Sequence, residues 1–219
     1  ESNESLSRLM IGAEPPPLTH RPVHAGDVAL RVKNLSLPRE DQFGVDLDHV
    51  SLDVRAGEVV GIAGVSGNGQ KELLYALSGE DTRAEPGMIE VLGKSAGRLH
   101  PRQRRALGLH FVPEERLGRG AVPSLGLAHN LLLTRSEAVG QGGWIRNGAL
   151  DKQAASIIDR FKVKAGGPSS AARSLSGGNL QKFIVGREID AKPKVFVVSQ
   201  PTWGVDVGAA ALIRNEILA

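Results

Sequence analysis

Two glycine-rich stretches hold the residues with the most chemistry in them. The first reads Gly64-Val65-Ser66-Gly67-Asn68-Gly69-Gln70-Lys71, with Glu72 behind it, and lies between an apolar run and an amphipathic one. Glycines at such a junction permit positive φ angles and let successive backbone N–H groups converge on an anion at the start of a helix. Phosphate is therefore the expected ligand. The spacing from Gly64 to Gly69 fits the phosphate-binding pattern G-x-x-x-x-G-K-[ST], but Gln70 takes the place of the lysine and Lys71 that of the magnesium-binding hydroxyl. The dinucleotide pattern G-x-G-x-x-G fails, because Glu72 stands where its third glycine belongs. A carboxamide can hydrogen-bond a phosphate oxygen, though without charge assistance. Lys71 cannot ligate a cation, and it lies about 100° around the helix from Gln70, so only its flexible stem could return the ammonium to the loop. The same glycines would also serve a plain strand-to-helix connection, and these residues alone leave both readings open.

The second stretch is Leu175-Ser176-Gly177-Gly178-Asn179-Leu180-Gln181-Lys182, which opens another helical run. By itself it reads equally well as a chance helix cap. Downstream, Lys194–Val198 leads into Ser199-Gln200-Pro201-Thr202 and then Gly204-Val205-Asp206. Asp206 is expected to cap the last helix with its carboxylate.

Periodicity gives the elements that must position these residues. Val28–Leu35 and Leu47–Arg55 read as half-exposed antiparallel strands, the second alternating Val50, Leu52 and Val54 against Ser51 and Asp53. Glu58–Ala63 reads as a fully apolar, buried strand that delivers the glycine loop to a helix over Lys71–Leu77. Met88–Leu92 and Leu107–Val112 read as strands, and Pro101–Arg105 starts a short helix whose Arg102, Arg104 and Arg105 are expected on a solvated face. Asn147 is the expected cap of an amphipathic helix burying Leu150, Ala154, Ile157, Ile158 and Phe161. Ser176 is the expected cap of a helix reaching Ile189, and Lys194–Val198 a strand buried on both faces of a parallel sheet. Strands alternating with helices imply an α/β fold.

The chain has 219 residues, with 27 Lys and Arg against 24 Asp and Glu, a net charge of +3 and no cysteine. That length fits one ordinary domain. Without cysteine there are no disulfides, thiolate zinc sites, iron–sulfur clusters or cysteine nucleophiles. The basic residues are interspersed with acids, so no nucleic-acid partner is expected. The histidines show no metal-ligand spacing, and no metal is assigned. No run approaches the roughly 18 apolar residues of a membrane helix, and no basic-then-apolar leader follows Glu1. Residues 1–26, with Glu14-Pro15-Pro16-Pro17 and Pro22, read as a linker.

Glycine loop, LSGGN, strand and QPT, in this order, resemble ATP-binding cassette (ABC) proteins, whose signature is LSGGQ. More narrowly, the chain resembles the ATPase subunit of ABC importers for simple sugars and nucleosides, which carries two cassettes in one chain. The second cassette of that family has a GNGQ loop, a Pro-Glu-x-Arg segment, LSGGN, and QPT in place of DEPT. Here these are Gly67–Gln70, Pro113-Glu114-Glu115-Arg116, Leu175–Asn179 and Gln200–Thr202. The run Leu117–Asn130 looks most like the branch paired with basic-membrane-lipoprotein nucleoside receptors, and Leu6–Gly12 is similar to the end of a first cassette. The resemblance covers essentially the whole chain.

What the resemblance implies is a P-loop NTPase core with an antiparallel β subdomain and a helical signature subdomain over about residues 114–190. The cassette would span 27–219, with its C-terminal part missing, because the switch histidine lies beyond the last helix. An uncovered sheet edge of that kind favours self-association. Two cassettes of the family sandwich ATP between the loop of one and the signature of the other. Gly64–Lys71 and Glu72 would then hold the phosphates of one ATP and Phe43 would stack on its adenine. Glu114 would link that site to the membrane subunit, or be a solvated carboxylate. Ser199 and Gln200 would stand in the magnesium-ligand and catalytic-carboxylate places. Leu175, Ser176, Gly177, Gly178, Asn179 and Gln181 would face the γ-phosphate of the other ATP, and Asp206 would be the D-loop aspartate. Trp203 suits a cassette interface if exposed and a core if buried.

A serine reaches magnesium only through water, and a glutamine amide accepts no proton at neutral pH. The cassette's own site is therefore expected to hydrolyse ATP slowly or not at all, with magnesium there undecided. The implied partners are the first cassette and membrane permease subunits, with the protein peripheral at the cytoplasmic face of the inner (plasma) membrane. Two other readings remain: a nucleotide-sensing or structural cassette without a role in hydrolysis, and a non-transport ABC protein of DNA repair or translation. The latter kind keeps its lysine and Asp-Glu pair in working cassettes.

Overall fold

The computed structural model describes residues 24–135, 140–141 and 144–218, so most of the predicted linker, including the 6–12 segment, lies outside the described residues. Two compact units divide the described chain: residues 24–111 with 192–197, and residues 112–191 with 198–218.

In the first unit, β1 (Val28–Leu37) pairs antiparallel with β2 (Leu47–Arg55) on one edge and with β3 (Ile89–Val91) on the other, and β3 turns back through β4 (Lys94–Ser95). Val50, Leu52 and Val54 lean toward the core while Ser51 and Asp53 face out, as a period of two requires. Helix α1 (Gln70–Ser78) adds Leu73, Ala76 and Leu77 to Leu30, Val32, Leu35, Ile89 and Val91. The core thus holds the helix that follows the glycine loop.

Two expectations fail in this unit. Residues 58–63 form no strand, and Val59, Val60 and Ile62 stand 69%, 42% and 56% exposed. A run apolar on both faces becomes a buried strand only where ladders pair its edges and other layers cover its faces. Among the described residues, β5 (Leu109–Val112) finds such a partner in β8 (Val195–Val198), and 58–63 joins neither. Even in β8 only Val195 is fully buried, so that strand is less enclosed than its composition predicts.

The second failure is the solvated basic face. In α2 (Pro101–Leu107), Arg102 is exposed, but Arg104 is fully buried and Arg105 is half-buried with its guanidinium 4.7 Å from the Phe111 ring centroid. Arg104 donates from Nε to the Leu99 carbonyl (2.8 Å), from Nη1 to those of Leu77 (2.8 Å) and Ala76, and from Nη2 to that of Gly97 (2.9 Å). Ala76 and Leu77 lie in the last turn of α1, where carbonyls lack helical partners and the helix dipole favours a cation. Burial pushes the Arg104 pKa down to about 10, so the group stays charged at neutral pH.

The second unit is helical: α3 (Leu127–Leu132), α4 (Asn147–Arg160), α5 (Gly177–Asp190) and α6 (Val207–Leu218), with a small ribbon of β6 (Gly140–Gln141) and β7 (Trp144–Ile145). Helix α4 contacts α3 and α5, and α5 contacts α6. Leu150, Ala154, Ile157 and Phe161 are buried as predicted, with Ile158 half-buried. Asn147 is the first helical residue rather than the cap, because the Ala149 and Leu150 amides already bond to the Arg146 carbonyl.

A buried polar network ties α5 to the segment before α3. Arg187 pairs with Glu188 (2.9 Å) and donates to the carbonyls of Gly120 (2.9 Å) and Asn130 (3.2 Å). The Asn130 side chain in turn accepts from the Val122 amide (2.7 Å) and donates to the Leu125 carbonyl (3.1 Å). On the other side, Gly186 lets Phe161 lie against α5, since a Cβ there would stand 2.6 Å from the ring. Gly186→Ala gains about 1 kcal/mol of helix propensity, but overpacking a buried ring costs roughly 1–3 kcal/mol. A net loss of about 1 kcal/mol is expected in urea unfolding; a gain would show that the ring yields freely.

Candidate functional site

The glycine loop enters α1 through two left-handed residues, Gly67 (φ 87°) and Gly69 (φ 93°), the second being the N-cap. The first helical bond runs from the Leu73 amide to the Gly69 carbonyl at 2.9 Å. Residues 70–72 therefore form the first turn of the helix, whose N–H groups have no carbonyl partner within the helix and favour an anion.

Gln70 uses its carboxamide to tie the loop together. Its Nε2 donates to the Val65 carbonyl (3.1 Å), and its Oε1 accepts the Asn68 amide (3.1 Å). Gly64 makes room for this, since a Cβ there would stand 2.7 Å from Nε2. Gln70 thus takes a loop N–H that a phosphate would otherwise receive. Lys71 does not replace the missing lysine: its Nζ sits 5.4 Å from the Tyr75 ring centroid, one turn along α1. The loop fits a phosphate once the carboxamide is displaced. It does not fit a magnesium ion, because its last residue offers an ammonium where an oxygen ligand is required.

Glu72 and Phe43 are linked through the loop of residues 38–46. Glu72 Oε1 accepts the Val45 amide (3.3 Å), and Asp41 Oδ1 accepts the amides of Phe43 and Gly44 (2.8 Å each). Pinned in this way, the loop presents Phe43 with its ring 88% exposed, an available face for stacking on a base. Val65, Ser66, Gly67 and Asn68 are exposed as well.

The signature region lies in the helical unit. Ser176 is the N-cap of α5, but its hydroxyl caps no backbone N–H. Instead Asn179 Nδ2 donates to Ser176 Oγ (2.9 Å), and Asn179 Oδ1 accepts the Lys164 amide (2.9 Å). Since Oγ is used as an acceptor, its own proton remains available for donation. Leu180 makes the first helical bond, to the Ser176 carbonyl (2.9 Å), so the amides of Gly177, Gly178 and Asn179 belong to the same donor cluster. Leu175, half-buried, precedes them in extended conformation. Lys182 donates to the Lys162 carbonyl (2.5 Å), a second tie to the loop that Asn179 holds; burial lowers its pKa.

Beyond β8 the chain makes a strained turn. Gln200 adopts a left-handed φ of 44°, and its carbonyl accepts the Trp203 amide (3.1 Å). Ser199 is half-buried, with its amide on the Val112 carbonyl (3.0 Å). Gln181, buried, donates from Nε2 to the Pro201 carbonyl (3.1 Å) and accepts Arg116 Nε on Oε1 (3.0 Å); Arg116 Nη2 donates to the Trp203 carbonyl. Trp203 itself is 62% exposed, which realises the exposed alternative. Asp206 caps α6 through the Ala209 amide (2.8 Å), as expected, and Glu114 is exposed. The sequence shows Arg116 only within Pro-Glu-x-Arg and gives it no role, because its neighbours Gly177 and Gly204 are near in space and distant in the chain.

A glycine loop capping one helix, a serine–glycine start on another and an α/β frame define an ATP-binding cassette. The chain belongs to the ABC transporter family, whose model matches residues 47–203. The nucleoside import ATP-binding protein NupA of Lactococcus lactis subsp. cremoris (strain MG1363) is 35% identical over 221 residues, covering 100% of this chain and 43% of that protein. The glucose import ATP-binding protein TsgD13 of Haloferax volcanii is 40% identical over 223 residues, covering 99% of this chain and 40% of its own length. This chain thus spans less than half of either relative. Among solved structures, a nucleotide-free ATP-binding cassette from an ABC transporter matches with a TM-score of 0.68 at 25% identity, over 87% of this chain and 76% of that one. Among the described residues no helix is long and apolar enough to cross a membrane.

Proposed function

We propose that this chain is the second nucleotide-binding cassette of an import ATPase for a simple sugar or nucleoside. Its principal task is to present Ser176 and the α5 amides to the γ-phosphate of an ATP held by a first cassette of the same full-length protein. The observation that carries the reading is the state of Ser176. Asn179 donates to its oxygen, which leaves the hydroxyl proton available to an acceptor beside the three helix-start amides. Donors fixed before the reaction stabilise charge as it develops on a transferring phosphoryl group.

The cassette's own site is built for less. Gln70 fills part of its own loop, Lys71 lies over Tyr75, and Ser199 and Gln200 offer neither a direct magnesium carboxylate nor a base. It binds ATP weakly, with Phe43 on the adenine, and hydrolyses it slowly or not at all. Permease subunits hold the protein at the cytoplasmic face of the inner membrane, where closure of the paired cassettes drives import. The two relatives named above import different solutes, so solute choice rests with other subunits.

The test compares this chain purified alone with the same chain mixed with the first cassette, measuring ATP affinity and turnover with and without magnesium. Turnover is expected only in the mixture. Magnesium-dependent hydrolysis by this chain alone, at the rate of a complete cassette, would overturn the reading.

A further inference from the structure

Arg116 sits where helix electrostatics alone would not put it. Its Cζ lies 6.0 Å from the Trp203 ring centroid, and a Cβ on Gly177 would stand 2.7 Å from its Nη1. A cation at a helix N-terminus opposes the dipole, and such a charge destabilises the helix start unless an anion joins it. Side-chain packing also leaves this guanidinium little choice of place: Nε is spent on Gln181 and Nη2 on the Trp203 carbonyl. Nη1 has no hydrogen-bond acceptor among the described residues. Both flanking positions are glycine, and a Cβ on Gly204 would stand 3.2 Å from Nη2.

We infer that Arg116 is a third kind of donor at the signature, its Nη1 reaching the same phosphate that Ser176 and the α5 amides receive. The inference rests on the reading that the signature binds the terminal phosphate of ATP. Gln181 is the positioning residue. It is buried, it orients Arg116 through Oε1, and it fixes the turn after Gln200 through Pro201. A planar guanidinium suits this arrangement, since one edge can be anchored while the other stays directed at an oxyanion. The turn is strained at Gln200, and the two side-chain bonds to the Pro201 and Trp203 carbonyls hold it in that form.

The test uses the full-length ATPase with its permease, and the variants Arg116→Met, Arg116→Lys and Gln181→Met. If Nη1 contacts the terminal phosphate, Arg116→Met raises KM for ATP about tenfold and lowers kcat, while the inhibition constant for ADP, which lacks that phosphate, stays within about twofold. Gln181→Met gives the same ATP-selective defect in weaker form. Equal weakening of ATP and ADP, or no change for either, would overturn the role. Should Arg116→Met fail to accumulate, Arg116→Lys keeps the charge but loses the fork, and a rise of about threefold in KM for ATP alone is expected; an unchanged KM would overturn it. Ser176→Arg, run alongside, separates the two claims. If it leaves turnover intact, the signature reading has failed. If it abolishes turnover while the Arg116 variants are silent, only the Arg116 inference has.

Discussion

Arg104→Met lowers stability by about 3 kcal/mol, because the carbonyls of Ala76, Leu77, Gly97 and Leu99 lose one shared donor and methionine supplies none. Spread over a chain of this length, that corresponds to a fall of roughly 6–12 °C in the denaturation midpoint. The loss is large because two of the carbonyls end α1, so the substitution loosens the helix that carries the glycine loop at its other end. Arg104→Lys tests the geometry apart from the charge. A lysine keeps the cation near the dipole but cannot fork over four acceptors, so about half of the loss is expected to remain. Calorimetry on the intact protein checks both. A shift of under about 2 °C for the methionine variant would show that water replaces the guanidinium without penalty.

Ser176→Arg abolishes ATP turnover in the assembled transporter, by roughly 100-fold or more, without unfolding the cassette. Both halves of that expectation come from geometry. The Ser176 side chain is exposed and caps no backbone amide, so replacing it removes none of the cap energy that such a position often supplies. The hydroxyl proton is nevertheless the donor that Asn179 leaves available, and loss of one such preorganised donor costs about 100–1,000-fold in rate. The arginine adds bulk where a phosphate must approach Gly177. Thermal unfolding within about 2 °C of the parent, alongside lost turnover, is the expected pair of results. Turnover preserved to within about threefold would remove Ser176 from the reaction.

What could be read from the sequence and what could not divide on one physical line. β1 and β2 were legible because one face is apolar and the other polar, and that pattern is local. The start of α1, expected at Lys71 and found one residue earlier at Gln70, and that of α5 behind Ser176 were legible because glycine loops and caps are local too. Residues 58–63 were misread, since a run apolar on both faces says it needs partners but not whether a ladder reaches it. Arg104 was misread for a similar reason: two of its acceptors, Ala76 and Leu77, lie on α1, 28 and 27 residues away, and nothing beside it in sequence announces them. At the candidate site, residue types told what Gln70 and Gln200 lack, a charge and a base. They did not tell that Gln70 folds back onto Val65 and Asn68, or that Asn179 donates to the Ser176 hydroxyl, because those depend on side-chain direction.

The central claim is that the signature half of this cassette serves hydrolysis while its own loop does not. ATP turnover of the full-length transporter carrying Ser176→Arg, assayed beside the same transporter carrying Gln70→Ala, addresses it most directly. Turnover falls roughly 100-fold or more in the first and stays within about threefold of the parent in the second if the claim holds. A transporter that tolerates Ser176→Arg and is silenced by Gln70→Ala would contradict it.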